Sequence, residues 1–216
     1  MFIGHFGVGL ASKKLDKKIS LGTMFLASQF IDLIWPLFLL FGLEKVKIDP
    51  GNTEFTPLDF VKYPFSHSFI AVLFWGFLFG LIYFLIKKNL KGSILLGVLV
   101  FSHWILDLIT HRPDLPFTLR GETKLGFGLW NSVILTLLIE GAVFAFGVYI
   151  YLRITKANSR TGIVSLWSLI IFLVVVYLMN TFGPPPPAEG TIAYMGLSMW
   201  LLVAWGYWID RNRAAR

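Results

Sequence analysis

Six apolar stretches, each near the ~20 residues that a bilayer's hydrocarbon core demands, limit what this chain can fold into. They lie at about 19–43, 66–86, 92–110, 129–153, 163–182 and 191–209. Hydrophobic residues make up 56% of the 216, and charged residues only 14%. Soluble domains carry about 25% charge, so that class is excluded. The 21 Phe and 8 Trp suit lipid-facing helices and their interfacial belts. Trp200, Trp205 and Trp208 in the last stretch read as such anchors. The expected fold is all-α: one polytopic membrane helix bundle of about six spans. With no cysteine, there is no disulfide framework, thiolate ligand or Cys nucleophile.

Loop charge orients the bundle. Lys13, Lys14, Lys17 and Lys18 precede the first stretch, and Lys87, Lys88 and Lys91 join the second to the third. Arg153, Lys156 and Arg160 follow the fourth, and Arg211, Arg213 and Arg216 end the chain. These are 13 of the 19 Lys and Arg, all on one side of a six-span arrangement. Lys45, Lys47, Lys62, Arg112, Arg120 and Lys124 lie on the other side, diluted by Glu44, Asp49, Glu54, Asp59, Asp114, Glu122 and Glu189. Both termini are therefore expected in the cytoplasm. The net charge of +7 is an insertion signal here rather than the mark of a nucleic-acid partner. Met1 to Leu10 lacks the charged start and cleavage site of a signal peptide and reads as mature protein. Turn chemistry gathers in the outer loops at Asp49-Pro50-Gly51 and Arg112-Pro113-Asp114, and the run Gly183 to Pro187 excludes helix.

Met1 to Ser12 is apolar but too short to span. With Lys13 at the cytoplasmic interface, a rise of ~1.5 Å per residue sets His5 about 12 Å into the bilayer. A half-helix dipping from the inside is expected, with Gly4, Gly7 and Gly9 permitting close helix contact. The alternative is a short helix lying flat on the membrane.

The central portions of the spans hold three carboxylates, Asp32, Asp107 and Glu140, and no Lys or Arg. A charge at the centre of a span costs ~2.5–3.5 kcal/mol on insertion scales and marks function. Three acids without a buried cation require either protonation or a bound cation. The histidines favour the cation. His103, Asp107 and His111 are spaced i, i+4, i+8 along one helical face, as imidazole and carboxylate are in helical zinc motifs. H-x3-D alone fits a buried hydrogen-bonded pair equally well. Depth adds to the signal: Asp32, His103, Asp107 and Glu140 fall near a common level, with His67 and His111 above it and His5 below. His67 can also be read as part of a Ser-His-Ser turn capping the second span. Glu140 is read as a general base or as a protonated structural acid.

His5-Phe6-Gly7-Val8-Gly9, Phe30-Ile31-Asp32, Ser66-His67-Ser68 and the His103-to-Asp107 helix resemble the bacterial family of inner-membrane metal-dependent hydrolases whose name-giving member is under LexA control. These elements cover roughly the first half of the chain. His111 to Pro116 and Gly128 to Ser132 resemble a subgroup labelled as hypothetical membrane proteins or permeases. The family's Pro-Asp-x-Asp stands here as Gln29-Phe30-Ile31-Asp32, and Pro64-Phe65 replaces its Arg-Gly. The resemblance implies a multi-pass protein of the bacterial inner membrane that holds a metal.

The function expected is a membrane-embedded metal-dependent hydrolase. His5, Asp32, His67, His103 and Asp107 would hold a divalent transition metal, with Zn, Mn and Fe suiting such a donor set. Glu140 would be the base, and His111, Arg112 and Arg120, with Lys124, would hold the anionic head of a lipid or lipid-linked substrate. The rival is a small cation- or proton-coupled transporter using the same acids and histidines. A scaffold without chemistry would leave the buried acids unexplained.

Overall fold

A computed structural model describes residues 1–216. Five helices are long and apolar enough to cross a membrane: α5 (Phe69–Lys87), α6 (Leu90–Thr110), α7 (Val133–Ile154), α8 (Arg160–Phe182) and α9 (Glu189–Arg211). A sixth crossing exists if the bent pair α2 (Leu21–Ser28) and α3 (Phe30–Leu40) counts as one. The short α1 (Ile3–Ser12) and the single turn α4 (Pro64–His67) complete the helical set.

The first apolar stretch departs from the continuous 19–43 span that its composition suggests. It starts on Ser20, whose side chain accepts from the Thr23 N–H, breaks at Gln29 and turns by 54°. No glycine or proline stands at the break. The cause is tertiary: the Ser28 carbonyl there lies 3.0 Å from His103 Nδ1, a bond across 75 residues of sequence. Non-helical backbone at membrane depth is tolerated where other protein groups satisfy it, and this carbonyl is one such case. The helix ends at Leu40, and Gly42 (φ +68°) takes the left-handed turn that follows.

The second stretch is also divided. α4 stops at His67, and Ser68 begins α5 by accepting from the Ala71 N–H at 3.1 Å. Ser68 is therefore the cap, and His67 is left free to point elsewhere. Ser132 likewise caps α7, accepting from the Leu135 N–H, after a 3-10 turn over Leu129–Asn131. The Gly183-to-Pro187 run is not helical, as its prolines dictate.

α1 does not lie on a surface. Only Val8 and Ala11 within it are partly exposed. It packs against α7, α2 and α6, and the α7 contact is made by glycines: a Cβ at Gly147 would collide with the Gly7 backbone. Phe6 meets Phe25 edge to face at 5.1 Å on the α2 side. α5 and α6 approach in the same way through Gly76 and Gly97.

The loops add what an all-helical expectation omits: three short antiparallel ladders. β1 (Lys45–Ile48) pairs with β2 (Leu58–Lys62), β3 (Leu115–Pro116) with β4 (Lys124–Leu125), and β5 (Thr155–Ala157) with β6 (Arg213–Ala215). The last ties the chain end to the α7–α8 loop, where the Arg213 guanidinium donates to Thr155 Oγ1 and the Gly162 carbonyl. Trp200 and Trp208 stand exposed as anchors would, but Trp205 turns inward to donate to the Ser165 carbonyl.

Candidate metal centre

His5 from α1, Asp32 from the first turn of α3, His67 from α4, and His103 and Asp107 from α6 converge at one place. The sequence assigned all five to one site, and the fold brings all five together. His5, His103 and Asp107 form one group that could hold a metal ion, and Asp32, His67 and His103 form another. Both groups are buried except for Asp32, whose side chain is 23% exposed.

Four atoms define the centre. His67 Nε2 is 3.4 Å from Asp32 Oδ1 and 3.9 Å from Asp107 Oδ2. His103 Nε2 is 3.5 Å from the same Asp32 oxygen and 3.2 Å from the same Asp107 oxygen. Ligands at 2.0–2.2 Å from a tetrahedral ion stand about 3.3–3.6 Å from one another, so three of these four separations are near the edges of such a tetrahedron and the fourth is slightly longer.

Tautomers follow from the partners on the far side of each ring. A carbonyl only accepts, so His103 Nδ1 must donate to Ser28, and Nε2 of the neutral ring is then a bare lone pair. That Nε2 is fully buried and has no hydrogen-bond partner, although two carboxylate oxygens flank it. Lone pairs facing lone pairs repel unless a positive charge lies between them, either a metal ion or the proton that makes the ring an imidazolium. A carboxylic acid proton does not fit, because O–H hydrogen bonds close to about 2.5–3.0 Å. His67 is turned the same way, with Nδ1 2.6 Å from Ser66 Oγ.

His5 closes the inner side. Its ring stacks on that of His103 with centroids 3.6 Å apart, and its Nε2 is 3.2 Å from Asp107 Oδ1. Asp107 thus presents one oxygen to His5 and the other to His67 and His103. The Met1 amino group also bonds Asp107 Oδ1, so one of the three acids does have a buried cation beside it, which a count of Lys and Arg in the spans left out.

Glu140 sits at the entrance of α1 rather than in the ligand ring. Its Oε2 accepts from the Phe2 N–H at 2.9 Å, a favourable place for an anion at a helix N-terminus. Its Oε1 is buried with no partner.

His111 parts from the i, i+4, i+8 face because α6 ends at Thr110. Its backbone is extended (φ −63°, ψ 144°), and its Nδ1 lies 2.9 Å from Asp114 Oδ1 and 3.2 Å from the Tyr63 hydroxyl. Phe60 and Trp130 enclose the ring at 4.9 and 4.3 Å. Burial alone would raise the Asp114 carboxyl, but hydrogen bonds from His111, Tyr63 and Arg112 hold it below the ordinary carboxylate range. Its stabilising effect is present at neutral pH and is lost as pH falls through that lowered value. Arg112 is committed to Asp59 and Asp114, whereas Arg120 and Lys124 are exposed.

One residue whose role the sequence did not show belongs to this region. Glu44, counted in the sequence only as a loop acid, is buried and bonds Ser66 beside His67. Nothing in their spacing, 22 residues apart, announces the pair. No family model, curated protein or solved structure matches the chain.

Proposed function

We propose that this protein is a membrane-embedded metal-dependent hydrolase acting on an amphiphilic, phosphate-bearing substrate. The observation that carries the proposal is the pair of imidazole Nε2 atoms held against two carboxylates, with three of the four separations close to the edges of a tetrahedral site. An all-N/O donor set suits Zn, with Mn and Fe as alternatives. A divalent ion there supplies Lewis-acid activation of water, whose pKa it lowers toward ~7. His67, His103, Asp32 and Asp107 hold it, and His5 steadies Asp107 from the inner side. Glu140, with one oxygen engaged by α1 and the other free, is the candidate proton acceptor. Asp32 is the one ligand with appreciable exposure, so substrate approaches over α3.

The bent α2–α3 pair is counted as one crossing, which makes six and leaves both termini in the cytoplasm of a bacterial inner membrane. Loop charge supports this. A reporter fused after Arg216 is expected to be active only in the cytoplasm, and one inserted near Asn52 only outside. A cytoplasmic Asn52 would overturn the topology.

The reaction is tested with the purified protein against phosphoester and acyl-ester panels in lipid. Hydrolysis of at least one lipid phosphoester is expected, abolished by chelation and restored by Zn. Metal-dependent cation uptake without hydrolysis would replace the enzyme with the transporter.

A further inference from the structure

We infer that Glu44 and Ser66 are positioning residues for His67, a hydroxyl–carboxylate pair that fixes which nitrogen of the ring is bare. The inference rests on the reading of His67 as a metal ligand.

Glu44 follows the turn that ends α3 and is only 4% exposed. Its two oxygens do different things. Oε1 accepts the backbone N–H groups of Phe65 and Ser66 at 2.7 and 2.8 Å, which anchors the α4 turn. Oε2 accepts only the Ser66 hydroxyl, at 2.6 Å. Ser66 has one hydroxyl proton, and the carboxylate takes it. Toward His67 Nδ1, 2.6 Å away, Ser66 Oγ can then offer only a lone pair. Nδ1 must be the N–H donor, so Nε2 is left unprotonated and facing Asp32 and Asp107.

The two histidines of the centre are therefore set by separate devices: the Ser28 carbonyl for His103, and the Glu44–Ser66 pair for His67. Without Ser66, nothing opposes the other tautomer, in which an Nε2–H would bond Asp32 and compete with the ion. Partners of this kind behind a ligating histidine are worth about 10–100-fold in metal affinity.

The division of labour between the oxygens makes a clean test. Glu44→Gln keeps a carbonyl oxygen for the two backbone N–H groups but puts an NH2 where Ser66 needs an acceptor. Zn affinity by chelator competition, the Co(II) absorption spectrum and metal-free thermal melting are measured on full-length wild type, Glu44→Gln, Ser66→Ala and the double variant. Each single variant is expected to bind Zn about 10–100-fold more weakly. Their Co(II) bands should shift, their metal-free melting should stay near wild type, and the double variant should be no weaker than Ser66→Ala. A purely structural cap would lower melting in every form and leave metal affinity and the Co(II) spectrum at wild type, which would overturn the inference. Wild-type protein that binds neither metal would overturn the metal centre and this inference together.

Discussion

Glu140→Gln is expected to leave metal content at the wild-type level and to lower turnover of the hydrolysed ester by about 10²–10⁴-fold, the range for positioned proton transfer. The geometry makes the variant informative. Glu140 contacts the Phe2 N–H through one oxygen, and glutamine retains a carbonyl that can accept the same bond. The entrance of α1, and with it His5, should therefore keep its place. What changes is the free position, where a partnerless carboxylate oxygen is replaced by an amide that cannot take a proton. Turnover and metal content are read on the same preparation. Unchanged turnover would make Glu140 a helix-capping acid and move the search for the base to Asp32. Altered cation affinity or pH dependence of uptake, with no hydrolysis to lose, would identify a transport site.

Replacing both His103 and Asp107 with Ala is expected to take metal content from about one equivalent to none. His103 belongs to both groups of candidate ligands, and Asp107 faces His5 with one oxygen and His67 and His103 with the other. Their joint loss leaves Asp32 and His67 as the only intact pair of ligands in direct contact, too few for the tetrahedral sites that zinc prefers. Metal analysis after size-exclusion chromatography checks this, with Trp200→Phe on the exposed face of α9 as a folded control. Retention of a full equivalent by the double variant would place the ion elsewhere.

Most of the helical plan was legible in the sequence because it depends on length and hydrophobicity alone. The stretches at 92–110, 163–182 and 191–209 became α6, α8 and α9 with no end moved by more than three residues. The gathering of His5, Asp32, His67, His103 and Asp107 at one place was legible too, since buried acids and histidines in apolar spans have few other reasons to exist. What could not be read was anything settled by contacts distant in sequence. The break at Gln29 has no local signal, and the donor to the Ser28 carbonyl there is His103 on α6. The close approach of α1 to α7 needs glycines on both helices, and nothing local in the sequence marks Gly147 as the partner of Gly7. The extension of His111 out of the helical face follows from the Asp114 and Tyr63 contacts and from Gly126, where a Cβ would strike the His111 and Arg112 carbonyls. Glu44 looked like one more loop acid because only the folded β1–β2 region brings it against Ser66.

The central claim is that the bare imidazole nitrogens and the two carboxylates enclose a metal ion. X-ray absorption at the zinc edge, on wild-type protein purified with zinc supplementation, tests it most directly. One equivalent of zinc with an oxygen and nitrogen shell at about 2.0–2.2 Å, including imidazole scattering, is the result expected. Protein that remains metal-free under those conditions would mean that the buried carboxylates are balanced by protons and the Met1 amino group, and the hydrolase reading would fall with the ion.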